Sequence, residues 1–463
     1  MERKNAWKGY SASELKELEE LNASYRDFLD AGKTERECVK EIVRQAKQAG
    51  YQELDEVIAN GQPLKSGDLV YAVCMNKAVV MFKIGKKPLE EGMNILGAHI
   101  DSPRLDVKQN PLYEDGDMAY LDTHYYGGIK KYQWVTLPLA IHGVVCLKDG
   151  TTVEVCVGEK DEAPVFCVTD LLIHLAGDQM EKKASKVIDG EKLDVLIGSI
   201  PLSTEDDEKK KKAVTENILK ILKDTYDIEE EDFISAELEV VPAGRARELG
   251  FDRGMIMAYG QDDRVCAYTS LDAMFQAGDI EKTACCLLVD KEEIGSVGAT
   301  GMQSRFFENV VSELLALNGD FSDIVLKRCL RKSRMLSSDV NAGFDPLFAD
   351  MFEKKNASYC GRGVVFCKFT GSRGKSGSND ANAEYLAVLR KIMDDNNVAY
   401  QTAELGKVDI GGGGTIAYIL SLYGMEVIDC GVAVLNMHAP WEITSKADVY
   451  ETWKCYKAFL KDA

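Results

Sequence analysis

Apolar positions recur at helical spacing from Ser11 to Tyr51. Within that stretch Thr34 and Glu37 form a T-x-x-E capping box ahead of ECVKEIVRQAKQAGY, with Gly50 as a stop, so at least two N-terminal helices are predicted. The period then shortens. Three short runs, LVYAVCM from Leu69, AVVMFKI from Ala78 and MNILGAHID from Met93, read as strands.

Between about Ser102 and Gly250 the text is β-rich, with AIHGVVCL and TTVEVCVG as its clearest strands. The charge-dense EDDEKKKKAVTENILK around Thr204 to Lys220 reads as a solvated loop and a helix start. After Gly250 apolar runs alternate with helical segments: GMIMAYG before VCAYTSLDAMFQAG, TACCLLVD before the segment from Met302, VVFCKFT before DANAEYLAVLRKIMDD, and MEVIDCGVAVLNMHA before the terminal helix. Such alternation predicts an α/β fold with a mixed, mostly parallel sheet flanked by helices. The expected organisation is a first part at 1–103, an inserted β-rich domain at 104–248, and a second part of the first domain at 249–463. No period of 20–50 residues points to a solenoid or propeller.

Composition narrows the function classes. The chain has 463 residues, 45% hydrophobic and 29% charged, ample for two or three domains with buried cores. Against 56 Lys and Arg stand 76 Asp and Glu, and a net charge of −20 disfavours phosphate backbones and anionic lipid, so neither a nucleic acid nor a membrane is expected as partner. The longest apolar stretch, Val135 to Leu147, is interrupted by Pro138, His142 and Gly143 and falls short of the roughly 20 apolar residues of a membrane span. Thirteen cysteines without a C-x-x-C pair read as reduced thiols, and the N-terminus has no apolar region behind its basic residues. A cytoplasmic location is the expectation.

Candidate chemistry collects where the predicted strands end, the usual place for sites in open α/β sheets. His99 and Asp101 in GAHIDSP flank one residue, so on an extended strand the carboxylate can steady the imidazole. Asp262 and Asp263 follow GMIMAYG, and their ordinary reading is a helix N-cap with its solvated neighbour. Glu292 and Glu293 follow TACCLLVD; their side chains should diverge, one towards a metal and the other towards a water as general base. Asp339 in SSDV and His438 in NMHAP complete the series. Of five histidines, two stand at predicted strand ends of what reads as one sheet.

His99, Asp262, Glu293, Asp339 and His438 make a nitrogen and oxygen donor set without thiolate. It suits two divalent ions, Zn²⁺ foremost with Mn²⁺ or Co²⁺ feasible, one carboxylate bridging them. Two ions ~3.5–4 Å apart polarise a carbonyl and activate a bridging water, leaving Glu292 to take its proton. The H-E-x-x-H, G-x-S-x-G and P-loop signatures are absent, and the glycines of GSVGATG and Gly411–Gly414 read as tight turns.

At AHIDSP, YYGG, IHLA, QDDRV, DKEEIGS, SSDV, GSRGKSGSNDANAE and NMHAPWE the chain resembles the aspartyl aminopeptidase family of metallopeptidases, in its bacterial branch, over nearly its whole length. The resemblance implies a dinuclear-metal exopeptidase fold interrupted by a β-rich dimerisation or lid domain, and a homo-oligomer, typically a tetrahedral dodecamer built from dimers. It implies that His99, Asp262 and Asp339 hold one ion and that Asp262, Glu293 and His438 hold the other. It further implies that Asp101 orients His99, that Glu292 is the general base, that His174 reaches a neighbouring subunit's active site, and that Lys375 contacts an acidic substrate side chain. The chain departs from the family where SSDVNAG replaces S-x-D-M-A-H and MHAPWE replaces the MHS-type ending. The function expected is removal of N-terminal residues, acidic ones preferred, from small peptides. A broad or neutral-residue aminopeptidase and a non-catalytic, metal-stabilised peptide-binding shell are the alternatives.

Overall fold

The computed structural model describes residues 4–203 and 212–463. The acidic and basic core of the charge-dense run, residues 204–211, lies outside the described residues; beyond it Ala213–Tyr226 is helical. Contacts divide the chain into a larger unit of Met1–Asp101, Ala246–Met437 and Glu442–Ala463, and a smaller unit of Ser102–Arg245 with His438–Trp441.

The larger unit is built on a nine-stranded sheet. Its spatial order is Gln52–Glu53, Leu69–Cys74, Ala78–Lys83, Thr283–Val289, Met93–His99, Arg334–Ser337, Glu426–Gly431, Val364–Cys367 and Tyr400–Thr402. Thr283–Val289, Met93–His99, Arg334–Ser337 and Glu426–Gly431 run parallel to one another at its centre. The mixed, mostly parallel sheet expected from the alternation is therefore present. Central parallel strands are covered on both faces, which is why they read as unbroken apolar runs. Met93–His99 shows this residue by residue: Leu96 and Ala98 enter one core, with the helices Ala12–Ala31, Glu35–Gln48, Gln261–Phe275, Ala383–Asp395 and Lys446–Asp462. Met93 and Ile95 enter the other, with Leu54–Asn60, Phe306–Leu317, Asp323–Lys332 and Ala417–Ser421.

The N-terminal helices form as their caps dictate. Ser11 and Thr34 each accept from the backbone three residues on, and Glu14 and Glu37 reach back to the cap residues, so two orphan donors are satisfied at each start.

One reading needs correction. MEVIDCGVAVLNMHA is not one strand of one sheet: Glu426–Gly431 belongs to the nine-stranded sheet, while Ala433–Leu435 joins a five-stranded sheet with Arg247–Leu249, Met255–Ala258, Glu442–Ser445 and Asn341–Ala342. Val432 is the crossing point, where its carbonyl accepts from Asn341 N–H at 2.8 Å. GMIMAYG also lies in this second sheet. His99 and His438 thus stand at strands of different sheets.

The smaller unit is a seven-stranded sheet, every pairing antiparallel, ordered Thr152–Val157, Leu139–Cys146, Ala236–Pro242, Arg104–Asp115, Met118–Tyr126, Val195–Gly198, Cys167–Val168. Ile141, Val145, Leu196, Ile218, Leu222 and Leu238 are among the side chains bounding an apolar cavity of about 950 Å³ in this unit. None of the candidate chemical residues lines it. All 13 cysteines are free. Among the described residues no helix is long and apolar enough to cross a membrane.

Candidate metal centre

The site starts at the last residue of the Met93–His99 strand. His99 pairs with Val289 on the neighbouring parallel strand and is 1% exposed. The strand stops there, yet the expected contact survives: His99 Nδ1 lies 3.0 Å from the Asp101 carbonyl oxygen and 3.3 Å from its carboxylate. That leaves Nε2 facing Asp262 Oδ1 at 3.2 Å, Glu292 Oε2 at 3.9 Å and Asp339 Oδ1 at 4.0 Å.

Asp101 does more than steady the imidazole. Its two carboxylate oxygens accept from the backbone N–H groups of Glu292 and Glu293, each at 3.1 Å. One fully buried side chain thereby sets the His99 ring and the turn that carries both glutamates. That turn, Glu292–Ile294, starts after Lys291 at φ +69° and is followed by Gly295 at φ +98°. Left-handed backbone at a non-glycine residue is uncommon and costs free energy, so the surrounding fold must impose it.

Asp262 and Asp263 correct the expectation of a cap with a solvated neighbour. They open Gln261–Phe275 with non-helical dihedrals, a cis peptide bond joins them, and they are 3% and 0% exposed. What fixes Asp262 escaped the sequence reading. Its N–H donates to Glu442 Oε2 at 2.9 Å, while Gln261 donates to the Glu442 carbonyl at 2.7 Å and accepts from Thr444 and Tyr25 hydroxyls. Glu442 stands in NMHAPWE beside the histidine that was singled out, and Gln261 precedes the acid pair in QDDRV. Their neighbours were signals, but the pairing spans 180 positions and is visible only in the fold.

Three overlapping donor groups result, each with ligand atoms within 4.8 Å of one another: His99 with Asp262 and Asp339; Asp262 with Glu293 and His438; and His99 with Glu292 and Glu293. Asp262 belongs to two of them. His438 lies between the strands Ala433–Leu435 and Glu442–Ser445, at φ +63°, and its Nδ1 is 2.9 Å from the Gly128 carbonyl oxygen.

The electrostatics of the donor set fit a divalent cation. Burial holds the Asp339 carboxyl well above the usual range, and the charges of Asp263 and Glu292 push it further. Burial does the same to Asp263, against the opposing pull of His99. Burial alone would lower the His99 value, but its hydrogen bonds to Asp101 and Asp262 overcome it and the net shift is upward. Protein alone favours keeping protons in this cluster. A bound dication reverses that preference, because it stabilises ionised carboxylates and neutral imidazole.

Two candidates lie outside the cluster. His174 sits in the short helix Ile173–Leu175 of the smaller unit, beside exposed Leu172, Ile173 and Leu175. Lys375 is in the Gly/Ser-rich loop of the larger unit, its ammonium 3.0 Å from Asp380 and 3.8 Å above the Phe369 ring.

Known proteins match nearly the whole chain. A family model described as aminopeptidase I zinc metalloprotease (M18) matches residues 28–460. A probable M18 family aminopeptidase 1 from Clostridium acetobutylicum is 62% identical over 461 residues, covering 100% of this chain and 98% of that protein. A crystal structure of an M18 aminopeptidase from Thermotoga maritima superposes with a TM-score of 0.94 at 45% identity, covering 100% of both chains. That of aminopeptidase I from C. acetobutylicum gives 0.93 at 60% identity, covering 100% of this chain and 99% of the other. The chain belongs to the M18 family of zinc metalloproteases and is a metalloaminopeptidase.

Proposed function

We propose that the chain removes single N-terminal residues from small peptides with two divalent ions per subunit, Zn²⁺ foremost and Co²⁺ or Mn²⁺ as substitutes. His99, Asp262 and Asp339 would hold one ion and Asp262, Glu293 and His438 the other. The observation that carries this reading is Asp262 in two donor groups at once, the arrangement a bridging carboxylate needs. The ions, when bound, would polarise the scissile carbonyl and make water more acidic.

The rest falls to side chains. Glu292 Oε2, held in reach of the cluster by the Asp101 clamp on its backbone, takes the proton from the attacking water and passes it to the leaving amine. Asp101 keeps His99 in one ring orientation and tautomer. His174 would serve the active site of a neighbouring copy, as the family likeness implies, and the smaller unit would act as the dimerisation or lid domain. A yeast aminopeptidase, 19% identical with a TM-score of 0.74, was solved as a dodecamer. The same assembly in the cytoplasm is proposed here, with peptide substrates and neither nucleic acid nor membrane as partner.

Glu292→Gln is the decisive test. It should retain two bound ions and lose about 10²–10⁴-fold in kcat. Near-normal hydrolysis would remove Glu292 from the mechanism, and a wild-type protein inactive after loading with Zn²⁺, Co²⁺ or Mn²⁺ would favour a non-catalytic peptide-binding shell.

We assign the preference to acidic N-terminal residues through Lys375. The competing neutral or broad specificity has an observation behind it: the Lys375 ammonium is already engaged by Asp380 and Phe369. A panel of Asp-, Glu-, Leu- and Lys-anilides decides between them. Acidic preference requires the first two to show the higher kcat/KM.

A further inference from the structure

Beneath the metal cluster, on the nine-stranded sheet, a buried carboxylate takes no part in the reaction described so far. Asp429 is 3% exposed and pairs in register with Ser337, which itself pairs with Gly97. Gly97 lies two residues before His99 and Ser337 two before Asp339, so this row is one step below the candidate ligands.

Asp429 Oδ1 accepts from the Thr415 hydroxyl at 2.5 Å and from the Ser337 hydroxyl at 3.5 Å. Oδ2 has no hydrogen-bond partner among the described residues. A carboxylate oxygen left so in the interior is costly. Burial pushes the carboxyl up to about 7, against the two hydroxyls.

Thr415 follows the run Gly411–Gly414, of which Gly411 and Gly412 are required by contact. A Cβ at Gly412, already at φ +124°, would fall 2.7 Å from Ser372 Cα and 2.8 Å from the Gly371 carbonyl. Gly413 N–H donates to the Thr370 carbonyl at 3.0 Å. Thr370, Gly371 and Ser372 begin the loop that carries Lys375. The far side of that loop is tied to the same strand, since Asn379 donates to the Val427 carbonyl at 2.6 Å.

We propose that Asp429 is a positioning residue for substrate selectivity: through Thr415 it pins the glycine run against Gly371–Ser372 and so sets the loop that presents Lys375. This rests on the aminopeptidase reading above, with Lys375 as the group that meets the substrate side chain. The carboxylate acts through the loop and does not touch the reacting atoms.

The test compares Thr415→Val and Asp429→Ala, which break the clasp, with Thr415→Ser, which keeps the hydroxyl. In the metal-loaded protein the ratio of kcat/KM for Glu- over Leu-anilide should change at least threefold in the first two, with bound metal unchanged. Thr415→Ser should match wild type, and the double variant Thr415→Val/Asp429→Ala should be no worse than either single one, since both remove the same bond. A ratio unmoved in Thr415→Val and Asp429→Ala overturns the proposal, as does a Thr415→Ser variant displaced as far as Thr415→Val. Should wild type hydrolyse none of the panel, the functional reading fails by itself. Amide hydrogen exchange over 370–376 and 411–415 then decides the clasp: faster exchange in Thr415→Val than in Thr415→Ser supports it, and equal rates overturn it.

Discussion

Two clusters of buried charge in the larger unit are handled in opposite ways. At the base of the terminal helix, Lys446 is 1% exposed and its ammonium lies 2.6 Å from both Glu19 and Glu248. Its hydrogen bond draws the Glu248 carboxyl below its ordinary value. In the candidate metal centre, Asp339 and Asp263 are held well above theirs. Both clusters are acidic, but the first is paired to a lysine ammonium and the second to the His99 imidazole. The carboxyls of the two clusters thus shift in opposite directions, Glu248 downward through its lysine hydrogen bond and Asp339 and Asp263 upward through burial.

The contrast can be broken at several points. The strongest is Asp262→Asn: removing the shared donor should abolish binding of both ions, read by metal analysis after dialysis, together with hydrolysis. If one ion stayed bound at full affinity, Asp262 would not bridge. A milder change is Glu442→Gln, which disturbs the group holding the Asp262 backbone without touching a ligand; metal affinity should fall about 10–100-fold, and an unaltered affinity would show that the Glu442 contact only supports the fold.

The pH response of the metal-free protein is a third point. Asp339 binds its proton more tightly folded than unfolded, and Asp290 and Asp429 are pushed up to about 7, chiefly by burial. A raised carboxyl contributes stability that is complete below its unfolded value near pH 4 and is lost as pH rises through the folded value. Tm of the metal-free protein should therefore decline from about pH 4 towards pH 7 and beyond. Zn²⁺ should flatten that slope by removing the share due to Asp339, with protons released on binding. Equal slopes with and without metal would contradict the role given to the cluster. The smallest effect belongs to Lys446→Met. It should cost about 1–3 kcal/mol, because Glu19 and Glu248 keep partial access to water, and metal content and kcat should stay as in wild type.

How much of this the sequence could disclose depended on range. The capping boxes and the central strands are local, and they read correctly. The residues that meet in the donor groups could be picked out as candidates because each stands at or just beyond an apolar run, and loops at strand ends meet in space. Asp263 read poorly: adjacent acids in a loop usually face water, and only the fold shows both covered. The division of MEVIDCGVAVLNMHA between two sheets was illegible, since hydrophobicity does not change at Val432 and the switch is decided by partners elsewhere in the chain. Glu442, Gln261 and Asp429 act through contacts with residues far away in sequence, or through a loop whose glycines look like ordinary turns.

The wide spacing of the candidate ligands has a consequence for the chain during its synthesis. At about 5–20 residues per second, the roughly 340 positions between His99 and His438 take on the order of 17–70 s to add. Throughout that interval a ribosome-bound fragment can fold helices and begin its central sheet while the proposed donor set is incomplete. A peptidase assembled this way has a built-in delay, because no nascent fragment ending before His438 holds the whole proposed donor set.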